Sequence, residues 1–101
     1  MDFPKTTIDI TGLIDLAKTF KIVELHLFGS VLRDDFGPNS DIDILVRFTD
    51  DCHYSLFDLF DIQESFQSFL HRKVDLVEID SLVNPYRREN ILSHSRKIYA
   101  A

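Results

Sequence analysis

The chain has 101 residues, of which 45% are apolar, including nine phenylalanines. That supports one packed core and excludes a disordered chain, so a single domain over residues 1–101 is expected. The net charge of −6 argues against a nonspecific or direct nucleic-acid binder, which needs Lys and Arg for the phosphates. One cysteine, Cys52, excludes an intramolecular disulfide framework and fits a reducing cytosol. No N-terminal apolar run resembles a signal peptide, and no run reaches the ~18 residues of a membrane span, so a cytoplasmic protein without a membrane role is expected.

Residues 1–10 read as an irregular lead-in. A helix follows over 11–20, with Thr11 as N-cap and Leu13, Ile14, Leu16, Ala17 and Phe20 along one stripe. Residues 22–28 read as a strand, because Val23, Leu25 and Leu27 alternate with Glu24 and His26. Gly29-Ser30 ends that strand, and a short helix over 30–35 is expected after it. Gly37-Pro38-Asn39 signals a turn, and 41–48 reads as a second strand. The longest helix is expected over 54–71, with Leu56, Leu59, Phe60, Gln63, Phe66, Phe69 and Leu70 on its apolar stripe. Phe57 falls off that stripe and is a candidate to face a partner. Residues 73–79 read as a third strand, and Asn84-Pro85 opens a helix through about Ser93. Ile98-Tyr99 either adds a short strand or packs down. The order implies a small α/β (or α+β) domain with helices covering one sheet.

The charge is uneven. Residues 34 to 64 hold nine acidic side chains against one basic, Arg47, whereas 72 to 97 hold six basic and four acidic. Two of the acids, Asp41 and Asp43, are spaced i, i+2 before the apolar run Ile44-Leu45-Val46. Strand side chains alternate, so the pair shares a face at ~7 Å separation. Two carboxylates there repel and lose hydration, a conflict that a divalent cation removes. Mg²⁺ is commonly held by one or two carboxylates plus substrate phosphates. A strand-start cap is the plainer reading of the pair. Gly-Ser after a strand lets backbone approach a ligand closely. A helix starting at Ser30 would offer free N–H groups and a hydroxyl to an anion, unless Ser30 is an ordinary N-cap. A phosphate cradle and a metal-holding carboxylate pair are the two halves of a phosphoryl- or nucleotidyl-transfer site.

Gly29-Ser30 followed after ten residues by Asp41-Ile42-Asp43 resembles the signature of the DNA polymerase β-like nucleotidyltransferase superfamily. The chain is most similar to its minimal branch, the MNT-type domains that act as antitoxins beside HEPN toxins. "SDIDILV" resembles the metal strand of that branch, and "KVDLVEIDSLVNPYRRENIL" its usual ending. The resemblance implies the nucleotidyltransferase fold, with a small mixed sheet flanked by helices. It implies that Gly29 and Ser30 contact the triphosphate of ATP, and that Asp41, Asp43 and Asp75 hold two Mg²⁺ ions. Asp75 would also help activate the attacking hydroxyl, unless it is a strand carboxylate paired with Arg72 or Lys73. Arg33 stands where these proteins carry an arginine, and would reach a phosphate or pair with Asp34 or Asp35. Asp34 itself departs from the Arg-Gly often found there. By resemblance the protein is an adenylyltransferase antitoxin that attaches AMP to a tyrosine of a HEPN RNase and forms a hetero-oligomer with it. The alternative is a non-catalytic antitoxin that masks its toxin. Larger relatives add a helical domain, so a second protein or a second copy is expected to complete the site.

His26, His53, His71 and His94 lack metal-ligand spacing, and Cys52 beside His53 is too isolated for zinc. His26 reads as structural. Tyr86, Arg87 and Arg88 read as a solvated helix face, with contact to a partner or nucleotide as the alternative.

Overall fold

The computed structural model describes residues 1–101. The lead-in is more ordered than its sequence suggests. β1 (Asp2–Phe3) and β2 (Thr6–Thr7) form an antiparallel ribbon. Segments this short carry no readable alternation. Phe3 is buried, and the Arg96 guanidinium stacks 5.0 Å from its ring centroid, so the ribbon is held by tertiary contact. α1 (Ile10–Thr19) is capped by Asp9 rather than Thr11: the Gly12 N–H donates to the Asp9 carboxylate at 3.3 Å. Asp9 and Thr11 are both competent caps, and Ile10 joining the helix selects the earlier one.

β3 (Ile22–Phe28) leads into one 3₁₀ turn, Gly29–Leu32, in place of the expected helix over 30–35. β4 (Ile42–Phe48), α2 (Leu56–Leu70), β5 (Val74–Glu78) and α3 (Pro85–Ser93) follow near their expected places. Ser55 and Asp58 close a capping box on α2, and Asn84 caps α3 ahead of Pro85. β6 (Arg96–Ala100) is a full five-residue strand.

The four-stranded sheet has the order β5-β4-β3-β6. β4 pairs antiparallel with β3, β3 antiparallel with β6, and β4 parallel with β5. The parallel pair requires a crossover, which α2 supplies. The register puts Leu25, Leu27, Ile44, Val46 and Val74 on one face. Leu13 and Ala17 of α1, with Ile62 and Phe66 of α2, close the core against that face. Ile62 was not on the expected stripe, whereas Leu56 and Phe60 were, and those two are 83% and 58% exposed. Leu56 and Phe60, near the start of the helix, turn away from the core, while Leu59, Phe66, Phe69 and Leu70 pack on it as expected. A groove of about 230 Å³ separates Leu56, Phe60 and Gln63 from Val46 and Leu76.

Candidate active site

The opposite sheet face carries the polar residues. On β4 these are Asp43 and Arg47, on β3 Glu24 and His26, and on β5 Asp75. Asp43 lies opposite Phe28 on β3 and opposite Asp75 on β5. Two acids 32 positions apart in sequence therefore stand side by side, and the residue that starts the glycine turn stands on the other side. Asp41 sits at the entrance to β4, just before Ile42.

Gly29 has φ +75°, in the left-handed region that disfavours side chains. A Cβ there would also strike the Asp43 carboxylate. The bare backbone thus serves both the turn and the close approach of the acid. Val31, fully buried, anchors the turn, and the Arg33 N–H closes it by donating to the Ser30 carbonyl at 2.9 Å. One 3₁₀ turn has no appreciable macrodipole. What it offers an anion is local: backbone N–H groups and the Ser30 hydroxyl.

Asp43 is held above its ordinary carboxylate range, first by burial, then by Asp75 and then by Asp41, with Arg33 opposing. Asp43 therefore feels both other acids. Arg33 donates through Nε to Asp35 at 3.1 Å, which gives one of the two acids after the turn a partner. The oxygen-only donor set and this mutual repulsion fit a hard divalent cation. As placed, the side chains do not form a closed cage of three or more ligands. Asp41 and Asp43, with Asp75 across the strand boundary, are the groups able to hold such an ion.

Arg72 has a part that its sequence position concealed. It is read there as a possible partner of Asp75. Its Nη1 instead donates to the carbonyls of Gly37 and Ser40, the latter at 3.0 Å, and its guanidinium stacks 4.2 Å from the centroid of the Phe36 ring. The turn before Asp41 is thereby pinned to the start of β5. No local pattern signals a contact made across more than 30 residues.

His26 is structural, as expected. It is buried, its Nε2 lies 2.8 Å from Glu24 and its Nδ1 lies 3.2 Å from Ser95 Oγ. The His26 hydrogen bond, with Arg47 adding to it, holds Glu24 below the usual carboxylate range. Tyr86 is 85% exposed, in keeping with a solvated face.

Residues 12–98 match the family described as Nucleotidyltransferase domain. A Methanocaldococcus jannaschii protein named as a candidate protein adenylyltransferase is 34% identical over 76 residues, covering 75% of this chain and 76% of its own. Among solved structures, a toxin–antitoxin with AMP-PNP superposes with a TM-score of 0.77 at 22% identity, over 93% of this chain and 75% of that one. A complex of tri-AMPylated Shewanella oneidensis HEPN toxin with MNT antitoxin gives 0.68 at 21% identity, over 91% and 70%. These two structural likenesses bear on the fold.

Proposed function

The chain belongs to the nucleotidyltransferase domain family, and from that premise we propose that it is an antitoxin enzyme. It transfers AMP from ATP to a tyrosine hydroxyl of a HEPN-type RNase toxin. The observation that carries this reading is the register that lines up Asp43 with Asp75 and with the strand end preceding Gly29. The similarity to a protein named as a candidate protein adenylyltransferase and to a complex holding an AMPylated HEPN toxin supports the acceptor class.

In the proposed mechanism the Gly29-Ser30 backbone and the Ser30 hydroxyl hold the triphosphate. Asp41 and Asp43, with Asp75, would hold Mg²⁺, two ions in all, which neutralises charge on the phosphates when bound. Asp75 accepts the proton of the attacking hydroxyl. The acceptor oxygen bonds to the α-phosphorus, the bond to the β-phosphate oxygen breaks, and pyrophosphate leaves. Asp75 is exposed on the edge strand β5, where a side chain of another protein can reach it. Incubating the protein with its cognate toxin, ATP and Mg²⁺ should raise the toxin's mass in steps of one AMP. An unchanged toxin mass would overturn the assignment.

The surface also suits a protein partner. Leu56 and Phe60, 83% and 58% exposed, line the groove over β5, and Phe57, next to Leu56 in the chain, is 85% exposed. Asp50, Asp51, Asp58, Asp61 and Glu64 lie along the same chain segment, and residues 48–71 contain no Lys or Arg. A second copy would set acid against acid, so a partner with an apolar patch rimmed by basic residues fits better. Phe57→Asp should weaken toxin binding about tenfold or more while leaving nucleotide affinity unchanged, as read by calorimetry.

A further inference from the structure

Beyond the phosphate turn, the chain has a cavity of about 450 Å³ that Gly29 and Arg33 border. Its remaining walls are Phe28 and Leu32 on one side and Asn90, Ile91 and His94 of the α3 region on the other. The size is that of a small-ligand site, and the apolar side chains of Phe28, Leu32 and Ile91 share the lining with the polar ones of Arg33, Asn90 and His94, a mixture that can cover a flat ring and orient it. Arg33 is the sole cation in the lining and already donates to Asp35. The cavity is therefore poorly suited to a polyphosphate. It shares Gly29 with the turn assigned to the triphosphate, so a nucleotide lying on that turn has this cavity within reach of its sugar and base.

His94 has a defined hydrogen-bonding character. Its Nδ1 lies 2.8 Å from the Asn90 carbonyl and 3.1 Å from Ser93 Oγ. Ser93 Oγ spends its own hydrogen on that same Asn90 carbonyl, at 3.1 Å. Both neighbours of Nδ1 are then acceptors, so Nδ1 carries the ring proton and Nε2 keeps a lone pair. An acceptor on the cavity wall matches an exocyclic amino group and opposes a carbonyl oxygen. The Asn90 carboxamide offers both a donor and an acceptor, so it can pair with a base without discriminating.

We propose that this cavity is the nucleoside subsite, and that His94 makes it prefer a 6-amino purine over a 6-oxo purine. This rests on the AMP-transfer reading, for which it names the part of the chain that chooses the nucleotide.

Calorimetric titration with AMP-PNP, GMP-PNP and inorganic tripolyphosphate, each with Mg²⁺, tests it on the intact chain. The wild type should bind AMP-PNP about tenfold more tightly than GMP-PNP, the scale of one hydrogen bond made against one denied. His94→Leu should bring that ratio near unity. Ile91→Glu should weaken both nucleotides about tenfold and leave tripolyphosphate unchanged. Ile91 and His94 are not buried, so both variants should keep the wild-type melting temperature. An AMP-PNP affinity that Ile91→Glu does not move, or a purine ratio that His94→Leu does not move, would overturn the subsite. A rise in KM for the toxin alone would assign the cavity to the acceptor, again overturning it. Failure of the wild type to bind any nucleotide would be a different result, removing the AMP-transfer reading and the subsite with it.

Discussion

Asp43→Asn is expected to lower AMP transfer by a factor on the order of 10³ or more, and to raise the melting temperature of the metal-free protein. The two effects share one cause. Asp43 lies beside Asp75 and Asp41 in a partly buried position, and its carboxyl is pushed above its ordinary value of 3.8. A carboxyl with a raised folded pKa binds its proton more tightly in the folded chain. Its contribution to stability is therefore fully present below the unfolded value and is lost as pH rises through the folded one. At neutral pH the ionised Asp43 destabilises the fold, and an uncharged amide of the same shape relieves this. Solvent screening of the half-open site keeps the relief small, a rise of about a few degrees for a domain of this size. The gap between variant and wild type should close as pH falls towards 4. Added Mg²⁺ should raise the melting temperature of the wild type more than that of the variant. Thermal scans over pH, with and without Mg²⁺, check each part. A variant that melts below the wild type at neutral pH would contradict the argument. Toxin silencing that survives Asp43→Asn would shift the function towards masking.

Gly29→Ala should be strongly disruptive for a single added methyl. A left-handed φ for a residue with a Cβ costs about 1–2 kcal/mol, and here the Cβ also meets the Asp43 carboxylate. Together these should lower stability by about 2–3 kcal/mol and the melting temperature by roughly 10 °C or more. Because Asp43 must move, AMP transfer should fall about 100-fold or more in the fraction that stays folded. A double-mutant cycle separates the two causes. In an Asp43→Ala background the collision disappears and the backbone strain stays, so Gly29→Ala should destabilise less there. Equal losses in both backgrounds would show that the carboxylate contact carries none of the effect.

The parts of this site legible in sequence are those that local chemistry determines. Gly29-Ser30 ends a strand, Asp41 and Asp43 open the next, and the alternation of β4 runs through residues near in sequence. The place of Asp75 opposite Asp43 depends on a parallel crossover, which no window of residues encodes; family resemblance pointed to it. The Arg72 contacts with Phe36 and the 37–40 turn are equally non-local. The expected helix after Gly29 failed because one tight turn and a helix start share the same opening residues. The apolar stripe of α2 was misjudged at its start because Leu56 and Phe60 follow helical spacing yet face outward, whereas Ile62, which the expected stripe left out, carries a core contact.

The two guanidiniums nearest the aspartates have other commitments. Arg72 is spent on a ring and two carbonyls, and Arg33 on Asp35. Neither is hydrogen-bonded to Asp41, Asp43 or Asp75, and Arg33 offsets their mutual repulsion only in part, so the resting cleft keeps a negative potential. A free nucleotide carries the same sign and is repelled from it. What the cleft admits is a nucleotide whose charge is already masked by a cation. On the AMP-transfer reading, nucleotide and cation should therefore bind together, because Arg72 and Arg33 hold their guanidiniums elsewhere than on the three acids.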